Sequence, residues 1–397
     1  MSWFDLARSL PALWQNERTR TQLLGSVGML AGIGGVIASY AYLREPLQVR
    51  LDRLTVQLAN GRDHIPQQGL RLLHLSDTHF RGADWREQAK IDSIRKICAN
   101  LEYDLLIHTG DFLHEDSGLA NVLKLFDALP APRIGAYAVF GNHDYCVYSH
   151  DQILSRAWSQ FVELQQNGGA LNGNGHHNAN HNGHYNGTHK VALNGSHAES
   201  NAGSNGYANG NSRKSKLAAL EHARTLYQFG QFCANSPLNF KRAGNNDTCA
   251  LENALASRQV QTLHNRCVRL NRPELGLDIY LAGVDDVQEG KPELPRALAE
   301  ISNGVPTILL SHNPDILAEP GVEQADLVLA GHTHGGQIVL PLIGAVHTQT
   351  NHLVRKEVAG YLRRGKTHVY ITRGIGEGIP LRFGAAPQVT LITVLPG

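Results

Sequence analysis

Two histidines two residues apart, His332 and His334, lie in Gly331-His332-Thr333-His334-Gly335-Gly336, directly after the apolar run 325–330. Residues i and i+2 of an extended chain point to the same side, so both imidazoles can face one ligand. The flanking glycines remove bulk and let the backbone turn there. A lone His-x-His is often just a hydrogen-bonding pair. Four further clusters give this one weight, each closing a strand-like apolar run. They are Asp77-Thr78-His79, Gly110-Asp111, Gly141-Asn142-His143-Asp144 and Ser311-His312. Imidazole nitrogens with carboxylate and amide oxygens suit metal ions of intermediate hardness. One carboxylate can bridge two such ions, and a pair about 3.5–4 Å apart can bind a phosphate across both. Any one of these residues could be a helix cap or a satisfied core histidine. Five clusters at five strand ends are harder to explain that way.

The elements around them alternate. Strand patterns at 70–76, 104–109 and 134–140 are separated by helical spacings, first Ile91, Ile94, Cys98 and Leu101, then Leu119, Val122, Leu123, Phe126 and Leu129. That is an α/β pattern with polar groups beyond the carboxyl ends of the strands. A looser strand pattern covers 49–58. The C-terminal half is strand-rich, with a hairpin at 267–284 and strands at 306–310, 325–330, 337–340, 368–372 and 389–394. The predicted fold is α+β / α/β, with two packed β-sheets flanked by helices.

Composition excludes some functions. Lys plus Arg is 36 against 35 for Asp plus Glu, so no bulk positive charge is available for nucleic acid. The five cysteines form no C-x-x-C pair and no disulfide framework. Residues 1–22 form a mixed N-terminal segment. Residues 23–43 then run 21 positions without a charge, long enough for a spanning helix, with Tyr40 and Tyr42 as interfacial aromatics. The expectation is a single-pass membrane anchor, with a cleaved signal sequence as the alternative. The flanking arginines leave the face open, with a slight lean to the cytoplasmic side. A linker and first strand occupy 44–69, and the catalytic domain 70–397. Residues 167–212 interrupt it with 12 Asn, 10 Gly and 6 His, leaving almost nothing apolar to bury. This stretch is expected to be a disordered insertion, and its six histidines are set apart from the site.

Taken together, Asp77-x-His79, Gly110-Asp111, Gly141-Asn142-His143-Asp144, Ser311-His312 and Gly331-His332-x-His334 resemble the complete signature of the calcineurin-like metallophosphoesterases. The resemblance covers roughly residues 70–396 apart from the insertion. The N-terminal run, Leu281-Ala282-Gly283-Val284-Asp285-Asp286 and Arg373-Gly374-Ile375-Gly376 look like the membrane-associated YaeI/YkuE-like branch. The resemblance implies a β-sandwich flanked by helices and two divalent metal ions (Mn, Fe, Zn or Mg). One ion would be held by Asp77, His79, Asp111 and His334, the other by Asp111, Asn142, His312 and His332. It further implies a metal-bridging hydroxide as nucleophile and His143 as donor to a phosphoryl or leaving oxygen, with Asp144 orienting that ring. The substrate would be a phosphomonoester, phosphodiester or pyrophosphate. A lipid-linked one such as UDP-diacylglucosamine is suggested by some relatives, with a membrane as partner and no nucleic acid. The alternatives are a non-catalytic metal-binding scaffold on this fold, or a nuclease.

Overall fold

The computed structural model describes residues 35–149, 158–163 and 241–397, with positions 224, 225, 228 and 232. The chain divides into two compact units, Met1–Asp151 with Ser236–Gly397, and Gln152–Asn235. In the second, residues 158–163 are helical, and Phe161 packs on Phe232 with ring centroids 5.9 Å apart. The stretch 167–212 lies outside the described residues, as do residues 23–34 of the uncharged run. Among the described residues, no helix is long and apolar enough to cross a membrane.

The first unit begins with β1 (Arg50–Leu58), β2 (Leu70–Leu75), α1 (Trp85–Cys98), β3 (Leu105–Thr109), α2 (Leu119–Ala128) and β4 (Gly135–Val139). A single-turn helix α3 (Asn142–Tyr145) leads to β5 (Cys146–Ser149), which pairs with β6 (Lys241–Asn245). Then come α4 (Thr248–Ala256), β7 (Val260–Thr262), β8 (Arg266–Arg272), β9 (Leu277–Gly283), α5 (Leu294–Ala297), β10 (Thr307–Leu310) and β11 (Leu327–Ala330). The chain closes with the small pair β12 (Val339–Leu340) and β13 (Gly344–Ala345), then β14 (Gly360–Arg364), β15 (Thr367–Ile371) and β16 (Gln388–Pro396). Two six-stranded sheets result, in the orders β1-β16-β2-β3-β4-β7 and β14-β15-β11-β10-β9-β8.

The sheets pack face to face with helices outside, as the sequence pattern predicted. Strand β2 shows why. Leu70 and Leu72 join Ile107, Ile279, Leu281, Ile308 and Leu310 between the sheets. Leu73 and Leu75 point the other way, onto Ile91 and Ile94 of α1 and Val122 and Leu125 of α2. A strand covered on both faces reads as a continuous apolar run, not an alternating one. The outer face of the second sheet buries Leu309, Val328, Val369 and Ile371 against Leu294, Ala297 and Ile316. Helix α1 is capped by Asp84, whose carboxylate accepts from the Arg86 N–H at 2.9 Å, and ends at Cys98, short of Leu101.

Strands β6 and β14 were not foreseen. Lys-Arg-Ala-Gly-Asn at 241–245 is exposed throughout, and Gly-Tyr-Leu-Arg-Arg at 360–364 is a largely exposed edge strand with only Leu362 packed on the core, too little to print a pattern.

Candidate metal centre

Strands β2, β3 and β4 run parallel to one another in the first sheet, as do β10 and β11 in the second, so the carboxyl ends within each set lie together. Immediately beyond those ends the chain turns sharply. Asp77, His79, Asp111, His332 and His334 all have φ between 47° and 70°. This left-handed region costs a non-glycine residue about 1–2 kcal/mol. Long-range bonds hold it: Asp77 N–H to the Gly110 carbonyl at 2.9 Å, His79 N–H to the Asp111 carbonyl at 3.0 Å, and His332 N–H to Asp77 Oδ1 at 2.9 Å. His332 and His334 are therefore not extended neighbours sharing one side, as the sequence suggested. They sit in a turn and enter opposite halves of the site. Gly331 is needed for close approach, because a Cβ there would collide with Ser76 Oγ and Asp77 Oδ2.

Two ligand groups form. In one, Asp77, His79 and His334 bring their ligand atoms within 4.8 Å of one another, with His79 Nε2 and His334 Nε2 3.0 Å apart. In the other, Asp111, His312 and His332 do the same. There His312 Nε2 lies 3.1 Å from His332 Nδ1, and Asn142 Oδ1 joins both at 3.2 and 3.1 Å. Asp111 Oδ2 reaches across the groups, 3.3 Å from His79 Nε2 and 3.2 Å from His312 Nε2. Two donors bound at about 2.0–2.1 Å to one ion lie roughly 3 Å apart, which is the spacing seen.

The far side of two of the rings supports the same reading. His312 Nδ1 meets the Thr109 carbonyl at 2.8 Å, and His332 Nε2 meets the Gln349 carbonyl at 3.1 Å. A neutral imidazole that donates from one nitrogen presents a lone pair at the other, here into the site. Burial keeps His79, His332 and His334 neutral, with His332 pushed down to about 3. Asp77 is pushed up to about 6, first by burial, and its Oδ2 has no hydrogen-bond partner. His312 differs. Burial opposes its charge, but the carboxylates of Asp111, Asp77 and Asp286 outweigh it and hold its pKa up at about 10. A cation entering there must displace that proton. The residues present thus fit a divalent metal.

His143 lies outside both ligand groups. Its N–H donates to Asp111 Oδ1 at 2.8 Å, and its carbonyl accepts from Asn246 Nδ2 at 2.8 Å. The half-buried ring stands edge-on to His79 at 4.5 Å. Asp144 corrects an expectation, because it does not orient that ring. Its Oδ2 accepts from the N–H groups of Asp111 (2.8 Å) and Gly141 (2.9 Å), and its Oδ1 from those of Phe112 (2.8 Å) and Leu113 (3.0 Å). With the carboxylate spent on four backbone donors, it ties the loop after β3 to the loop after β4. Asp144→Asn would turn an NH₂ toward two of them, at about 1–3 kcal/mol for each stranded donor. We expect a lower urea midpoint and weaker metal uptake together. An unchanged midpoint would remove Asp144 from this role.

Three contributors escaped the sequence. His114 stacks on His143 with centroids 5.0 Å apart and belongs to a third cluster with His79 and His143. Its position three residues after Asp111 was the available signal. Arg81 touches His114. Arg382 is wholly buried and lies 3.4 Å from His334 Nδ1, donating to the Ala385 and Arg373 carbonyls at 2.8 Å. Nothing local marks it.

Comparison with known proteins agrees with this geometry. Residues 70–336 match the profile of a family described as calcineurin-like phosphoesterase. The chain is 39% identical over 120 residues to YkuE of Bacillus subtilis, an uncharacterized metallophosphoesterase, covering 30% of this chain and 41% of that protein. It is 33% identical over 141 residues to the phosphodiesterase YaeI of Escherichia coli, covering 36% of this chain and 50% of the other. It is 26% identical over 385 residues to the UDP-2,3-diacylglucosamine pyrophosphatase LpxG of Chlamydia trachomatis, covering 93% and 98%. The matches to YkuE and YaeI thus span half or less of those relatives, whereas that to LpxG spans nearly all of it.

Proposed function

The chain belongs to the calcineurin-like phosphoesterase family, and on that premise we propose that it is a metal-dependent phosphoric ester hydrolase. Asp111 carries the reading. Its Oδ2 touches His79 of one ligand group and His312 of the other, as a bridging carboxylate must. In this reading Asp77, His79, Asp111 and His334 hold one ion, and Asp111, Asn142, His312 and His332 hold the second. The mixed nitrogen and oxygen donors favour Mn, Fe or Zn over Mg. Bound there, such ions would supply Lewis acidity toward phosphoryl oxygens and lower the pKa of water.

The remaining work falls to the chain's own groups. The His143 N–H holds one oxygen of Asp111 and leaves the other for the ligand groups. The His143 ring is free to hydrogen-bond a phosphoryl oxygen or pass a proton to the leaving oxygen. Asp144 sets where Asp111 sits by fixing its N–H.

The substrate favoured here is a lipid-linked pyrophosphate. Similarity to the UDP-2,3-diacylglucosamine pyrophosphatase over 93% of the chain supports it. So does the uncharged run 23–43, which in this reading anchors the protein to a membrane beside its substrate.

The test uses the full chain, stripped of metal and reloaded with manganese. It should hydrolyse bis-p-nitrophenyl phosphate, lose that activity to EDTA and regain it with added manganese, with a pair of ions bound by elemental analysis. A fully loaded protein that turns over no phosphomonoester, diester or pyrophosphate would refute the hydrolase reading.

A further inference from the structure

We infer that Arg81, steadied by His114, grips a second anionic group of the substrate next to the phosphorus under attack, and so selects pyrophosphates over simple diesters. This rests on the hydrolase reading above. Arg81 lies two residues past His79, and its Nη2 is 3.0 Å from His114 Nε2. The His114 ring in turn lies 5.9 Å from that of His79 and 5.0 Å from that of His143. The guanidinium therefore stands one imidazole away from a ligand group and from the proposed proton donor. Arg81 is also among the residues, with Thr78, His79 and Gly376, that line a small cleft beside that ligand group.

Charge bookkeeping in the cleft singles Arg81 out. Arg86 is paired with Asp84 at 2.8 Å, and Lys90 with Glu377 at 2.5 Å. Among the described residues, the Arg81 guanidinium forms no ion pair; its polar side-chain contact is with His114 Nε2. A planar guanidinium left without a carboxylate presents paired N–H donors at the geometry a phosphate accepts.

The backbone beneath it is built. The N–H groups of Arg81 and Gly82 donate to the two oxygens of Glu87 at 2.7 and 3.1 Å, and Ser117 Oγ donates to the Arg81 carbonyl at 2.7 Å. Glu87 is buried and accepts from Asn121 Nδ2 at 2.7 Å. Gly82, at φ 97°, has no room for a Cβ against the Ser117 carbonyl. The fold has thus already ordered the loop, so an incoming anion does not lose that affinity.

The distance scale favours a pyrophosphate. An anion held by the ligand groups and a second one held by Arg81 must be joined by a short linkage, since Arg81 contacts His114, whose ring lies 5.9 Å from that of His79. Two phosphoryl groups sharing one oxygen satisfy this, whereas a simple diester leaves Arg81 facing an uncharged alcohol.

The experiment is calorimetric binding of methylenediphosphonate and of orthophosphate to the full chain loaded with manganese. Arg81→Ala should weaken the diphosphonate about 10- to 100-fold, the value of one charged hydrogen-bonding contact, and orthophosphate much less. Arg81→Lys should fall between, because it keeps charge without the fork. His114→Ala should move the same ratio part of the way, and His114→Gln, which retains an acceptor for the guanidinium, should restore it. Equal losses for both anions, or no loss for either, would overturn the assignment. So would a wild-type chain that binds the diphosphonate no better than orthophosphate. Turnover of bis-p-nitrophenyl phosphate by the wild-type chain judges the hydrolase reading separately, since the binding ratio needs no catalysis.

Discussion

Asp111→Asn should abolish measurable turnover, a loss on the order of 10³-fold or more, and should leave the purified chain with less than its full metal content. The side chain is 1% exposed and meets three partners: the His143 N–H at one oxygen, His79 and His312 at the other. Asparagine keeps the shape and can still accept from His143. Its NH₂, however, faces two ring nitrogens that would otherwise offer lone pairs, and the bridging charge is gone. The same substitution gives a signature in the metal-free protein. His312 is held up at about 10, so its protonation stabilises the fold fully below its ordinary value near 6.5, and that contribution is lost as pH rises toward 10. Metal-free wild type should therefore lose stability between neutral pH and pH 10. The Asp111→Asn chain, lacking the main carboxylate that holds the proton, should show a flatter profile there. Wild-type turnover in Asp111→Asn with a full metal complement would remove Asp111 from the bridging role.

His143→Ala is the second large effect, and it should separate chemistry from metal binding. We expect turnover to fall by roughly 10²- to 10⁴-fold if the ring donates a proton or hydrogen bond in the transition state. Metal content should not change, because the ring belongs to neither ligand group of the proposed pair and the backbone N–H to Asp111 survives any side chain. The loss should depend on the leaving group. A p-nitrophenolate needs little help in departing, whereas an alkoxide needs a proton, so the deficit should be larger for an alkyl ester. A deficit independent of the leaving group would reduce His143 to a hydrogen-bond donor, and loss of metal in this variant would make it a ligand.

These two residues differ in how far they could be read from the chain alone. Both stand directly after an apolar run, in residue types that bind metals or move protons, and that much is local. The sharing of Asp111 between two groups is not local, because it depends on His79 from β2 and His312 from β10 arriving on either side of one carboxylate. Asp144 was misjudged for the same reason. Adjacency to His143 suggested a partner for the ring, yet four backbone N–H groups, three of them from the loop more than thirty residues upstream, had the stronger claim on a buried carboxylate. His114 and Arg81 stand in loops with no periodic pattern, and only packing shows that they meet.

What the sequence by itself determined is the set of strands with polar ends: runs such as 70–75 and 327–330 are apolar on both faces because sheet lies on one side and helix or sheet on the other. A short-range rule of alternation and burial suffices for that. Tertiary structure alone decided which nitrogen of His312 faces the site, because the partner that takes the other one is remote: the Thr109 carbonyl lies 203 residues from it. It also decided the left-handed turns at Asp77, His79, Asp111, His332 and His334. No local preference favours that conformation in these residue types to this extent. Hydrogen bonds between strands that meet only on folding offset its cost, and those bonds are set by topology.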